Sequence, residues 1–162
     1  MKTVYACFCT DVIHEGHLNI IKQAVKYGTV IAGLLSDEAM VRYNRVPIIS
    51  FEERKKMLED LPEVSRVVVQ HEVMYNHIIQ ELHPDYVIHG DNWVDGPLHI
   101  IRDNVIASLK EWGGQLIEVP YTYNEKVRNI DAMMKEKAAM PEYRRKRLRL
   151  LLNLCPIVKT LE

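Results

Sequence analysis

The chain has 162 residues, 48% hydrophobic and 27% charged, with a formal net charge of -1. This is the size of one ordinary domain, able to bury a core without disulfides or a structural metal. The balanced charge provides no field that would select nucleic acid or a membrane surface, and no apolar run approaches the roughly 20 residues that span a bilayer.

Thr3 to Phe8 is β-prone and mostly apolar, and after Gly16 the apolar positions Leu18, Ile20, Ile21, Ala24 and Val25 recur at helical spacing. Gly28 ends that helix, Thr29 to Leu35 reads as a second strand, and Ser36-Asp37 starts a short helix. Ser50, with Glu53 three residues later, forms a capping box for a helix to about Leu61, and Val64 to Gln70 is the third strand. A helix near Tyr75 to Leu82, a strand Tyr86 to His89, a helix from about Leu98 to Trp112 stopped by Gly113-Gly114, and a strand Leu116 to Val119 complete the series. The alternation predicts an α/β fold: a Rossmann-like open parallel five-stranded sheet with helices on both faces and a ligand crevice at the carboxyl ends of its strands.

Residues 1–123 are therefore expected to form the sheet domain, and residues 124–162 a helical extension. Asn124 to Lys137 and Glu142 to Leu154 are helical and charge-rich, with the basic run Arg144, Arg145, Lys146, Arg147, Arg149 beside Leu148, Leu150, Leu151 and Leu152. That run reads as a solvated helix face, while the leucines must pack on something. Val158 to Glu162 breaks off as though inside a strand. The three cysteines, Cys7, Cys9 and Cys155, cannot all pair internally, and Cys7 and Cys9 face one side of a strand. Reduced thiols on a core or crevice wall, in a soluble cytoplasmic protein without a signal peptide, are the expectation.

The chemistry gathers after the first strand, where Asp11-Val12-Ile13-His14-Glu15-Gly16-His17 puts two imidazoles around a glycine at the start of a helix. A helix N-terminus offers unpaired N–H groups and the positive end of a dipole, and glycine lets a phosphate approach the backbone. His14 and His17 can donate hydrogen bonds to phosphoryl oxygens there. The plain alternatives are a metal pair or two surface histidines. His71, His77, His83 and His99 read as ordinary surface residues.

With a strand before it and a helix after it, this segment resembles the His-x-Gly-His signature of the nucleotidyltransferase superfamily, close to the glycerol-3-phosphate and ethanolamine-phosphate cytidylyltransferases. Ser50-Phe51-Glu52-Glu53-Arg54 resembles that family's Ser-Tyr-Glu-x-Arg segment, and His89-Gly90-Asp91-Asn92-Trp93 its Gly-Asp-Asp-Trp segment. The resemblance covers roughly residues 3 to 120. It implies that His14 and His17 hold the triphosphate of CTP, with Mg²⁺ assisting and Asp11 supporting either the histidine loop or the metal. It further implies nucleotide contacts from Cys9, Thr10, Gly16, Arg45, Arg54, His89, Gly90, Asp91, Asn92, Trp93 and Thr122. Two of these have structural alternatives: Trp93 as a cover for the sheet edge, and Arg54 as a helix-surface ion pair.

The match departs in two places. Phe8-Cys9-Thr10 stands where the family has Gly-Thr-Phe, so Thr10 is expected to offer a hydroxyl in place of a bare backbone. Tyr121-Thr122-Tyr123-Asn124-Glu125-Lys126-Val127 stands where the family has an Arg-Thr-Glu-Gly-Ile-Ser-Thr-like loop, leaving Thr122, with Lys126 or Arg128, as phosphate partners. Glu142 to Glu162 resembles the opening helix and first strand of a phosphoenolpyruvate mutase domain, a fusion found in phosphonate biosynthesis. The implied activity is CMP transfer from CTP to 2-hydroxyethyl- or 2-aminoethylphosphonate by a homodimer, with release of pyrophosphate. The rivals are a glycerol-3-phosphate- or phosphocholine-type cytidylyltransferase, and a regulatory nucleotide-binding module without turnover.

Overall fold

The computed structural model describes residues 1–155. Strands β1 (Thr3–Phe8), β2 (Thr29–Leu35), β3 (Val64–Gln70), β4 (Tyr86–Gly90) and β5 (Gln115–Val119) form one parallel sheet in the order β3-β2-β1-β4-β5. Helices α1 (Glu15–Ala24), α2 (Asp37–Arg42), α3 (Phe51–Glu59), α4 (Asn76–Leu82) and α5 (His99–Lys110) connect the strands. A 3-10 turn, Asp91–Trp93, follows β4, and α6 (Glu125–Ala138) and α7 (Pro141–Asn153) follow the sheet. This is the α/β architecture expected from the alternation, with strand bounds within a residue of the sequence reading.

The strands are apolar on both sides because helices cover both faces. In β1, Val4, Ala6 and Phe8 pack with Ile21 and Ala24 of α1 and Leu58 of α3. Tyr5 points the other way, into a cluster with Ile79 of α4 and Val105 and Leu109 of α5. Burying each such aliphatic or aromatic side chain contributes roughly 1.5–3 kcal/mol. Gly33 in β2 is required by that second face, since a Cβ there would overlap the Tyr5 hydroxyl. The open space lets Tyr5 Oη donate to Gln70 Oε1 at 2.6 Å, linking β1 to the end of β3 across β2.

β1 pairs with β2 on one side and β4 on the other, so the chain reverses its direction of growth at β1/β4. In an open α/β sheet the ends of the strands diverge at such a switch point and leave a crevice. The loop after β1 and the turn after β4 flank it. α6 and α7 fold back onto this end: Val127 of α6 is 1% exposed, α7 lies against α2 and α6, and Arg147 donates to Asn44 Oδ1 at 2.9 Å. The leucines of α7 were expected to find a packing partner, but Leu148 and Leu152 remain 59% and 55% exposed. The expected strand over Val158 to Glu162 lies outside the described residues. No helix among the described residues is long and apolar enough to cross a membrane.

Candidate active site

The two histidines of the loop after β1 are built into the start of α1. His14 is its N-cap, its Nδ1 accepting from Gly16 N at 3.1 Å, and His17 Nδ1 accepts from His14 N at 3.2 Å. This is a capping box made of imidazoles in place of the usual hydroxyl and carboxylate. Each Nδ1 uses its lone pair on a backbone N–H, which leaves each Nε2 carrying hydrogen as a free donor. The rings stack at 3.8 Å between centroids, and Phe8 meets His17 edge-on at 5.7 Å. Burial, with smaller contributions from His14 and Arg45, pushes His17 down to about 3. His14 is lowered mainly by burial, against the opposing pull of Asp131. Both are therefore neutral donors at physiological pH.

Gly16 also serves the cap itself. A Cβ would lie 3.0 Å from His14 Cε1 and 3.2 Å from His14 Nδ1, so glycine lets the capping ring lie flat on the helix start. Asp11, 6% exposed, accepts Ile48 N and Ile49 N on Oδ1 at 2.8 and 2.9 Å, tying the loop before α3 to the loop after β1. Among the described residues, no three His, Cys, Asp or Glu side chains converge to hold a metal ion.

His14 and His17 face two adjoining cavities. One, of about 460 Å³, is walled by the histidine loop, Tyr43, Arg45 and α6. The other, of about 150 Å³, lies toward β4 and is lined by Cys9, Gly16, His89, Gly90, Asn92 and Thr122 among others. The structure thus brings Cys9, His14, Gly16, His17, Arg45, His89, Gly90, Asn92 and Thr122 together. Arg45 lies on both walls. Thr122 Oγ1 accepts from Asn19 Nδ2 at 3.3 Å, leaving its O–H to donate. The Cys9 thiol, pushed up to about 11 chiefly by burial, is a protonated wall group, as is Cys7, pushed up to about 12.

Four expected contacts stand differently. Thr10 lines the larger cavity, but its Oγ1 donates to Val12 O at 2.6 Å, so its hydrogen shapes the loop. Asp91 Oδ1 accepts Tyr121 N at 2.9 Å, joining the turn after β4 to the loop after β5. Arg54 is 1% exposed: its guanidinium donates to Leu35 O at 3.1 Å and to Asp37 Oδ1 at 2.6 Å, a buried clamp between α3 and the end of β2. Its ion-pair alternative was the right partner type at the wrong depth, buried where a surface pair was expected. Trp93 is 2% exposed and stacks on His89 at 3.8 Å, with Nε1 donating to Glu118 Oε1 at 2.8 Å. It backs the crevice wall.

Sequence reading missed the α6 wall. Ile130, Asp131, Met134, Lys135 and Ala138 line the larger cavity. Their spacing is one face of a helix, a signal that was present but gave no sign of where the helix would lie.

Residues 7–149 match the model of a family described as Cytidylyltransferase-like. Over 122 residues the chain is 29% identical to the bifunctional protein HldE of Desulfatibacillum aliphaticivorans, covering 74% of this chain and 24% of that one. It is 27% identical over 117 residues to the D-beta-D-heptose 1-phosphate adenylyltransferase of Bordetella bronchiseptica, covering 70% and 69%. The chain therefore spans about a quarter of the HldE relative's length. The lipopolysaccharide core biosynthesis protein from Thermoplasma volcanium shares the fold, with a TM-score of 0.62 at 19% identity, covering 77% of this chain and 99% of that one. The imidazole-capped helix at the switch point and a match over most of its length place the chain in the cytidylyltransferase-like family of nucleotidyltransferases.

Proposed function

We propose that the chain transfers CMP from CTP to a small phosphonate and releases pyrophosphate. The observation that carries the reading is the pair of neutral Nε2–H donors, His14 and His17, fixed on a helix N-terminus with Arg45 across the cavity. An anionic acceptor oxygen attacks the α-phosphorus of the nucleotide. The new P–O bond forms as the bond to the bridging oxygen of the β-phosphate breaks, and the electron pair leaves with pyrophosphate. The attacking oxygen is already ionised, so no general base is required. The donors act by receiving charge that grows on the phosphoryl oxygens.

Mg²⁺ would arrive with the nucleotide and neutralise triphosphate charge, and Asp11, whose Oδ1 is taken by Ile48 N and Ile49 N, would hold it through Oδ2. A second reading, transfer of AMP from ATP to a sugar phosphate, is favoured by the match to a heptose 1-phosphate adenylyltransferase. Pyrophosphate release measured with each of CTP and ATP, against 2-aminoethylphosphonate, 2-hydroxyethylphosphonate, glycerol 3-phosphate, phosphocholine and heptose 1-phosphate, separates them. Release confined to CTP with a phosphonate is expected. Release only with ATP and the heptose phosphate selects the second reading, and nucleotide binding without release from any pair assigns the domain to regulation.

A further inference from the structure

The third imidazole of the crevice has the opposite hydrogen-bonding sense. His89 Nδ1 lies 2.7 Å from Gly90 O, and because a carbonyl only accepts, Nδ1 carries the hydrogen. His89 Nε2 is then a bare lone pair, with no partner among the described residues. It is a poor phosphate ligand and a good acceptor for an N–H or O–H. The ring is held in place: Trp93 stacks on it with planes 12° apart, and Trp93 is fixed through Nε1 to Glu118, which Arg102 grips at 2.8 Å through both Nε and Nη2. Burial lowers His89 further, which keeps the lone pair free of a proton.

A small cavity of about 80 Å³ opens beside this ring, walled by Tyr43, Tyr75, Trp93, His89 and the thiols of Cys7 and Cys9. It shares Cys9 and Tyr43 with the phosphate-facing cavity. That is room for more than a single water and for a two-carbon arm. Leu35, Val73, Leu98 and Ile101 make the rest of its wall largely apolar.

We propose that this cavity is the acceptor subsite, and that His89 Nε2 recognises a hydrogen-bond donor at the end of the acceptor's short aliphatic arm. His89 is then a specificity-determining residue and not a contact to the nucleotide. The assignment rests on the nucleotidyl-transfer reading above, and the donor is an ammonium or a hydroxyl.

The test is kcat/KM for 2-aminoethylphosphonate, 2-hydroxyethylphosphonate and ethylphosphonate with CTP, in the unaltered protein and in His89→Phe, which keeps an aromatic plate for Trp93. A site built to pair with a donor rejects the analogue lacking it, so ethylphosphonate is expected to be at least roughly 100-fold poorer than the better of the other two. In His89→Phe that ratio is expected to fall to within about threefold, since the unpaired acceptor is gone. The amine and hydroxyl arms show which donor is used. Equal use of ethylphosphonate by the unaltered protein overturns the assignment without any variant having to fold. A retained ratio in His89→Phe, with a raised KM for CTP instead, overturns it as well. Absence of pyrophosphate from every acceptor would instead refute the transfer reading itself.

Discussion

Two ends of the crevice carry the same side chain in opposite roles. At the start of α1, the Nδ1 atoms of His14 and His17 take backbone N–H groups, so both rings show donors to the cavity. At the end of β4, the His89 Nδ1 gives its hydrogen to Gly90 O, so that ring shows an acceptor. A helix start has spare N–H groups and a strand end has spare carbonyls, and the backbone thus decides what an imidazole presents. Residue type alone does not tell the two roles apart.

The largest expected effect falls on the donor end. His17→Ala should lower kcat/KM by about 10²–10³, the usual loss for one preorganised donor, with a thermal melt confirming that the domain still folds. A loss below tenfold would mean that the phosphates lie elsewhere. Arg54→Met should destabilise the fold by about 3 kcal/mol, since Asp37 and the Leu35 carbonyl lose a buried partner. Its KM for CTP should hold in the folded fraction; a raised KM with unchanged stability would return Arg54 to the nucleotide site.

Acid should weaken the donor end in particular. A buried His17 that protonates only near 3 binds fewer protons folded than unfolded from about pH 6.5 down to about pH 3. Its contribution to stability is thus fully present above the unfolded pKa and is lost as pH falls through that window. The slope is at most about 1.4 kcal/mol per pH unit from this group. Denaturant melts of the unaltered protein against His17→Asn measure it, and parallel pH profiles would contradict it. Gly16→Ala should be the mildest of the four. The added methyl displaces the His14 ring by a few tenths of an ångström, which should lower kcat/KM by roughly tenfold with the fold intact.

The sheet was legible because buried parallel strands write themselves as apolar runs such as Thr29 to Leu35, and the crevice followed from their order. The histidine loop was legible because strand, glycine and helix start are adjacent in sequence. What the chain did not disclose depends on distant partners. Arg54 is buried because Leu35 O and Asp37, 19 and 17 residues away, await it. Thr10 is taken by its own loop, and Asp131 and Lys135 reach the cavity only because α6 folds back over it. Helical periodicity shows that a helix has a face, but not what that face meets.

The most direct test of these opposed roles is the long-range ¹⁵N–¹H correlation spectrum of the imidazoles at neutral pH, before and after CTP and then a phosphonate acceptor are added. Nε2–H tautomers are expected for His14 and His17, and the Nδ1–H tautomer for His89. CTP should shift the Nε2–H signals of the first two, and the acceptor should then shift His89 Nε2. The same tautomer at all three rings, or a His89 that responds to CTP while His14 and His17 do not, would contradict these roles.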